Sequence, residues 1–428
     1  MSEWVEKSLR AIVGQPISGS RPKGGVNTET EGIPSLGGEN VRVDGGLDFS
    51  NLNRVPPSFF RLMPKGKLQP LDVLINKDGA QTGKVALYRG EFVEACVNEH
   101  LFILRNTDGS VDQEFLYYAV LLPETQTKIA RRITGSAQPG LNTQFVDAVR
   151  LALPASPVQQ RRIAEILGTV DEAIEATEAL IAKQQQVKAG LMHDLLTRGL
   201  TPDGQLRPTP SAAPALYQET PLGLLPKEWT ATTVADCLLG IEAGKSPECP
   251  DTPAVGDQWG VLKVGAIHPD GLREHENKVV LSLLLRTSSY LVAEGDLLFS
   301  RANTSELVGL SCHVLTQPRN LMLSDKTLRL RVRPEQMTTR FLFWALQTAT
   351  SRRQIENAAT GTSGSMKNIS QSGVRGIGCA RPKLDEQKQI TDRIDTASAA
   401  LAAEAARLAK LRQQKQGLMQ ALLTPPGA

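Results

Sequence analysis

The sequence contains no run of apolar residues approaching the roughly 20 needed to cross a bilayer. Its start, MSEWVEKSLR, has no apolar stretch behind a basic one. No secretory signal and no membrane partner are therefore expected, and the expected location is the cytoplasm. Cysteine is scarce: Cys96, Cys237, Cys249, Cys312 and Cys379 are scattered and form no C-x-x-C pair. The five histidines, His100, His193, His268, His275 and His313, show no ligand spacing. Both patterns argue against a disulfide framework or a metal site and fit reduced thiols. An excess of one charge sign is missing too. A net charge of +3 permits a nucleic-acid partner without pointing to one.

Catalytic signatures are equally scarce. An adenine methyltransferase needs an Asn or Asp before a Pro-Pro-aromatic loop to hold its flipped base, and NRVPPSFF at 53–60 lacks that polar residue. A phosphate-cradling loop reads G-x-x-x-x-G-K-S/T. GAQTGKV at 79–85 and GIEAGKS at 240–246 are each one residue short between their glycines. PDGLREHENK at 269–278 sets Asp270, Glu276 and Lys278 in a nuclease-like order, with too few residues between them for the two strands of such a site. No catalytic residue and no metal ligand is assigned, and the chain is read as a non-enzyme. Two rival readings stay open: a self-sufficient DNA methyltransferase or nuclease, and a coiled-coil scaffold without nucleic-acid binding.

What is present is a duplication. KAGLMHDLLT at 188–197 returns as KQGLMQALLT at 415–424, 227 residues on. Glu3-Trp4 returns as Glu228-Trp229, SGSRP (18–22) as AGKSP (243–247), and LDVLINKDG (71–79) as GDLLFSRAN (295–303). EFLYYAVL (114–121) matches RFLFWALQ (340–347), and TGSAQPGLN (134–142) matches TGTSGSMKN (360–368). Matching positions are mostly apolar, Gly or turn residues, while the polar residues between them differ. A chain of 428 residues is too long for one ordinary core, and the repeat divides it into two similar halves.

Each half opens with a mixed region. Strand-like runs fall at 71–75, 84–88 and 100–105, then at 296–300, 307–315 and 327–332. One amphipathic helix is expected near 113–132 and another near 338–357. Each half closes with a long helix. In the first, Ile163, Leu167, Val170, Ile174, Ile181, Leu191 and Leu195, with Thr177, Gln184 and Lys188 in the gaps, make an unbroken 4-3 ladder. The second repeats it through Ile390, Ile394, Ala397, Leu401, Glu404, Leu408, Leu411, Lys415, Leu418 and Leu422. This is the seam of a coiled coil, and the polar Lys188 and Lys415 are expected to pin its register. Antiparallel pairing of the two copies is expected, although the connection is long enough to permit parallel pairing. That connection, 199–226, holds six prolines in 28 residues and reads as extended, not packed.

The helix openings PASPVQQRRIAEILGTVDEAI (154–174) and PKLDEQKQITDRIDTASAAL (382–401), the matching helix endings and the GDLLFSRAN turn resemble the DNA-specificity subunit of type I restriction-modification systems. The family pattern is Pro, a short spacer, Gln, then Ile three residues later; Gln160 with Ile163 and Gln387 with Ile390 both fit. The first copy departs from it in lacking the acidic residue that usually precedes the Gln; the second keeps Asp385-Glu386. The resemblance implies an α+β chain: two similar mixed α/β target-recognition domains, 1–155 and 227–382, separated by spacer helices at 156–198 and 383–428 that form an intramolecular antiparallel coiled coil. It implies that each domain reads one half of a split DNA target. The helices would dock two methyltransferase subunits, and motor-nuclease restriction subunits would join them. No cofactor is expected on this chain; S-adenosylmethionine, ATP and Mg are expected on the partners.

Contact with double-stranded DNA needs Lys and Arg for phosphates and Arg, Lys, Asn or Gln for base edges. Loops with such residues recur in both halves: Arg21 and Lys23 against Lys245, Asn76 and Lys77 against Arg301 and Asn303, Asn142 against Lys367 and Asn368. Basic pairs Arg131-Arg132 and Arg352-Arg353 end the domain helices, and TLRLRVR (327–333) places Arg329, Arg331 and Arg333 on one strand face. The long helices carry −1 (157–198, five basic and six acidic residues) and +2 (383–424, seven basic and five acidic). Such near-neutral helices suit protein docking better than DNA binding.

Overall fold

A computed structural model describes residues 3–22, 31–106, 108–135, 139–361 and 366–426. The chain divides into two compact units, residues 1–180 with 404–428, and residues 181–403. In the first unit a central antiparallel sheet runs Ile17–Ser18, Leu101–Leu104, Asp72–Asn76, Val85–Tyr88 in spatial order. The last three strands are buried throughout, which is why they read as continuous apolar runs. In the second unit the order is Leu238–Ala243, Thr327–Val332, Leu297–Ser300, Ser311–His313. The expected run at 307–315 is therefore mostly turn, with only Ser311–His313 in the sheet.

The two units share the order of their main sheets, to which the second adds the hairpin Ile267–His268 with Gly271–Leu272. Each has a three-stranded sheet with one antiparallel and one parallel pairing, Asn53–Val55, Ile33–Leu36 and Cys96–Val97 in the first. Its counterpart is Asn277–Val279, Gly260–Leu262 and Leu321–Met322. Each domain is then tied shut, Trp4–Ser8 pairing with Arg150–Pro154 and Thr230–Thr233 with Gly378–Arg381. The repeated glycine of SGSRP and AGKSP has a steric cause. A Cβ on Gly19 would lie 1.7 Å from the Val97 carbonyl oxygen, and one on Gly244 would lie 1.8 Å from that of Leu323. Only glycine permits that approach of two backbones.

The expected single domain helix is two helices in each unit. Gln113–Leu121 is followed at once by Pro123–Ala130, because Pro123 cannot continue the hydrogen-bond ladder but suits the first turn of a new helix. In the second unit Thr339–Leu346 stops and Thr348 caps Ala349–Ala358 through its side chain. Asp112 and Thr338 cap the first of each pair, accepting from the amides of Phe115 and Phe341 at 3.0 and 3.1 Å.

The two motif glutamines splice these helices to the long ones. Gln160 is 1% exposed; its Oε1 accepts from the Asp112 amide at 2.8 Å and its Nε2 donates to the Pro154 carbonyl at 2.8 Å. Gln387, fully buried, repeats this with the Thr338 amide at 2.8 Å and the Pro382 carbonyl at 2.9 Å. In both units the amide group links the cap of the domain helix to the first turn of the long helix.

The long helices are single elements, Pro157–Thr197 and Leu384–Leu423. Every position of both predicted ladders is buried or half-buried, and the residues between are mostly exposed. Ile163 and Leu167 join the first unit's core together with Met419 and Leu423, with Leu418 and Leu422 packed against it. Fully burying a leucine such as Leu167 is worth about 1.5–3 kcal/mol. Leu195, Ile390 and Ile394 share the second unit's core, with Leu191 against it. The pairing is antiparallel within each unit. Asp171 pairs with Lys415 and Glu178 with Arg412, so numbers rise on one helix as they fall on the other. In the second unit the Leu200 amide, just past the first helix, donates to Glu386 in the first turn of the second at 2.8 Å.

Residues 199–226 overturn the expectation of an unpacked connection. Leu200 bridges Leu206, and Tyr217–Thr220 forms a hairpin with Gly223–Pro226. Arg207 is 4% exposed, held by Glu386 at 2.5 Å and Glu228 at 2.7 Å, while the Trp229 indole donates to both Glu386 oxygens at 3.1 Å. Pro202, Pro210 and Pro221 lie in turns, Pro214 opens a short 3-10 helix and Pro226 ends a hairpin strand, so they shape this segment without keeping it from packing. No helix among the described residues is long and apolar enough to cross a membrane.

The glutamine splice yields a test. Gln387→Leu strands the Thr338 amide and the Pro382 carbonyl and should cost about 1–3 kcal/mol. A lowered urea midpoint at unchanged slope would report it, while Gln389→Leu on the exposed face should stay within about 0.5 kcal/mol.

Candidate nucleic-acid interface

In both units the turn leaving the central strand is clasped by the segment that precedes the last short helix. In the first, Leu141 donates its amide to the Lys77 carbonyl at 2.7 Å and Asp78 bridges Gly140. In the second, Ile369 donates to the Arg301 carbonyl at 3.0 Å, and Ala302–Asn303 pairs with Lys367–Asn368. The predicted residues Lys77 and Asn142, and separately Arg301, Asn303, Lys367 and Asn368, are thus brought together; Lys77 and Arg301 are equivalent, but Asn142 follows its clasping residue Leu141 whereas Lys367 and Asn368 precede Ile369. Buried Leu141 and Ile369 anchor the arrangement from below, leaving the polar neighbours to differ between copies.

The side chains are not equally available. Lys77 is half-buried over the Phe102 ring and donates to the Glu99 carbonyl at 2.8 Å. Asn142 is exposed and accepts from the Gln144 amide at 3.0 Å. Lys367 donates to the Gly361 carbonyl at 2.6 Å, Asn303 weakly to that of Val264 at 3.4 Å, and Asn368 is exposed. Arg21 pairs with Glu99 at 2.8 Å while more than half exposed; Lys245 is exposed. Lys23 lies outside the described residues. Arg131 and Arg132 follow the end of Pro123–Ala130 and are exposed, whereas the pair Arg352-Arg353 lies not at a helix end but in the middle of Ala349–Ala358, where Arg353 is exposed. Arg352 is half-buried against the Glu306 carbonyl at 3.2 Å, and burial lowers its pKa.

Two predicted contacts are structural instead. Asn76 is 1% exposed; it ends the central strand, as buried Ser300 does in the second unit, and so faces the interior. Arg329 is 4% exposed, bound to Asp296 at 3.0 Å and to the carbonyls of Leu291 and Ser289 at 3.0 Å each. Its strand lies inside the four-stranded sheet, and the register sets Glu242 opposite it. Arg331 is exposed but paired with Glu242 at 2.9 Å, which raises its pKa, and Arg333 donates to the Leu238 carbonyl at 3.3 Å. The three arginines satisfy their own sheet. Their acidic partners come from other strands and turns, so the 327–333 segment by itself gave no sign of them.

The near-miss motifs fall in ordinary places. GIEAGKS runs along the edge strand Leu238–Ala243, and GAQTGKV turns the hairpin between Asp72–Asn76 and Val85–Tyr88. Asp270 pairs with His268 at 3.1 Å and Lys278 with Asp251 at 3.4 Å, not with one another. Among the described residues no three His, Cys, Asp or Glu side chains are grouped to hold a metal. The sequence reading also missed an apolar turn: Leu281, Leu283 and Leu284 are 62%, 73% and 95% exposed, the turn being held by Arg286 over Trp259. The run LSLLLR was its visible trace.

The sequence matches the family described as type I restriction modification DNA specificity domain over residues 1–186 and 252–413. The specificity subunit of the Escherichia coli type I restriction enzyme EcoEI is 29% identical over 197 residues, which cover 46% of this chain and only 33% of that protein. The specificity subunit of the Methanocaldococcus jannaschii type I restriction enzyme MjaVIII is 21% identical over 428 residues, 95% of this chain and 89% of that one. The fold is similar to the crystal structure of a type I restriction-modification S subunit from M. genitalium, with a TM-score of 0.61 at 13% identity over 99% of this chain and 97% of that one. With its family match spanning both halves, the chain belongs to the type I restriction modification DNA specificity family.

Proposed function

We propose that this chain is the DNA-reading subunit of a type I restriction-modification complex, recognising a split, asymmetric target with one half-site per domain. The observation that carries this reading is the pair of equivalent clasped turns, closed by the same backbone hydrogen bond and different in side chains. A turn held by the same hydrogen bond presents Lys77 in one copy and Arg301 in the other. Base edges are distinguished by the donors and acceptors that reach them, so one scaffold with two side-chain sets reads two sequences. The paired helices set the gap between half-sites and dock two methyltransferase subunits, and motor-nuclease subunits complete the assembly. The chain performs no chemistry itself and works in the cytoplasm; S-adenosylmethionine, ATP and Mg belong to its partners.

Replacing 227–382 with the matching segment of another specificity subunit should change one half-site and leave the other intact. Mapping methylated adenines in cells carrying the intact system reads this directly, and a change in both half-sites would refute the modular reading. Among the arginines, Arg353→Ala should leave stability within about 0.5 kcal/mol and reduce the salt slope of DNA binding by the complex by about 1. Arg329→Met, by stranding buried Asp296, should cost about 3 kcal/mol in urea unfolding.

Gap length follows from helix length. Removing one heptad from each helix, 178–184 and 405–411, keeps both ladders in phase and leaves Asp171, Lys188, Asp395 and Lys415 in place. Each helix shortens by about 10 Å, so the methylated gap should contract by roughly three base pairs at ~3.4 Å each. An active variant with its original gap would show that the helices do not measure the target.

A further inference from the structure

The lysines of the two ladders do more than pair one helix with the other. In the first unit Lys415 reaches Asp171 at 2.6 Å and lies over the Tyr118 ring at 5.9 Å. Tyr118 itself donates to the other Asp171 oxygen at 2.8 Å. In the second unit Lys188 lies over the Trp344 ring at 5.0 Å, and the Trp344 indole donates to Asp395 at 2.9 Å. Arg340 adds a fork onto Asp395, at 2.8 Å from Nε and 2.7 Å from Nη2, and covers the same ring at 5.1 Å.

The plan is the same both times. An aromatic on the domain helix donates a hydrogen bond to a carboxylate on the long helix that follows its own domain. A lysine from the other long helix closes over the ring. Three elements meet at one polar point, sheltered in the first unit, where Tyr118 is 1% exposed and Asp171 8%, and half-sheltered in the second, where Trp344 is 5% exposed but Asp395 is half-buried. Burial first, and then the charge of Asp171, push the Tyr118 phenol up, so its hydroxyl stays protonated and donates. Burial lowers the Lys188 ammonium, with Asp270 and Asp395 opposing the fall.

Apart from the glutamine splice at the start of each long helix, the Arg42–Glu178 pair in the first unit and the Glu386 network in the second, the seat between domain and helix pair is apolar. Ile163, Leu167, Met419 and Leu423 form it in the first unit; Leu195, Ile390 and Ile394 form it in the second. Apolar contact is non-directional and tolerates small rotations of a domain on its seat. Charge-assisted hydrogen bonds, Lys415 to Asp171 and Arg340 to Asp395, do not, and Lys188 adds a cation–π contact over the Trp344 ring. Rotation matters here because one base pair of gap turns one half-site relative to the other by about 35°, with 10–10.5 base pairs per turn.

We propose that the two lysine clasps, Lys415 on Asp171–Tyr118 and Lys188 on Trp344–Asp395, fix the angle at which each recognition domain sits on the helix pair. They thereby decide how strictly the complex rejects targets whose gap is one base pair too long or too short. Lys415, Lys188, Asp171 and Asp395 are positioning residues and touch no DNA. The inference rests on the split-target reading above, and its test separates the two.

The test uses the full chain assembled with its methyltransferase subunits and a DNA pool in which the gap varies one base pair at a time. The wild-type complex should methylate one gap in preference to its neighbours. Lys415→Met and Lys188→Met keep the aliphatic stem and remove the ammonium. Each should cut the discrimination against the one-base-pair neighbours by about tenfold, the equivalent of about 1.4 kcal/mol, with both half-site sequences unchanged. Lys415→Arg should restore it. Tyr118→Phe, which keeps the packed ring and removes only the hydroxyl, should relax the gap in the same direction and serves if a lysine variant fails to assemble. An unchanged gap profile in Lys415→Met, Lys188→Met and Tyr118→Phe would overturn the clasps and leave the split-target reading standing. A wild-type complex that methylates no split target would overturn that reading itself.

Discussion

The buried glutamine in the first turn of each long helix is the contact on which the other parts of its unit depend. A side-chain amide taken out of water must satisfy both its donor and its acceptor, and each glutamine has found partners on the domain side. Gln160 and Gln387 accept from the amide of a helix cap and donate to the carbonyl of the proline at or just past the end of the strand that leads into the long helix. Those bonds fix the direction in which the long helix departs. Only with that direction set do Ile163 and Leu167, or Ile390 and Ile394, fall into the domain core. The two copies reach the same geometry through different neighbours, an aspartate cap in one and a threonine cap in the other.

Polar contacts and apolar contacts divide the work differently in the two units. In the second, Arg207, Glu386, Glu228 and Trp229 build a sheltered network where the connecting segment crosses the start of the long helix. The carboxylate that organises it, Glu386, is a glutamine, Gln159, at the matching position of the first copy. Burying an ion pair contributes little net stability, but it fixes one arrangement among several of similar packing energy. The duplicated scaffold is held by apolar residues and backbone; the individual character of each half comes from such polar additions.

The same division explains which surface can carry recognition. Positions facing the core, Leu141 and Ile369 for example, accept only apolar replacements of similar size, so they stay alike in both halves. Their exposed neighbours are under no such constraint, and they differ. Arg329 shows the opposite case: an arginine in a recognition domain that is spent on holding the strand and the turn at Asp296 together.

Much of this was legible in the sequence because it is periodic or repeated. A 4-3 ladder of mostly apolar residues marks a helix face that must be covered, and its recurrence at a constant offset pointed to the partner. The short buried strands were legible from their local pattern, and the repeated Gln and Gly positions from their recurrence, although the contacts that require them, Gly19 with Val97 and Gln160 with Asp112, are long-range. What the sequence left undecided depends on residues far apart in the chain. Asn76 and Arg329 look like surface polar groups until the sheet register places them inside. The proline-rich segment 199–226 looks open until Glu386, on the far side of a whole domain in sequence, holds Arg207 and the Leu200 amide. Lys188 and Lys415 look like seam residues until Trp344 and Tyr118 arrive beneath them. Sequence determined the elements, their duplication and their apolar faces, because these follow from periodicity and sterics over a few residues. Tertiary structure alone decided which charges are paired and which are free, because that depends on partners brought close only by folding.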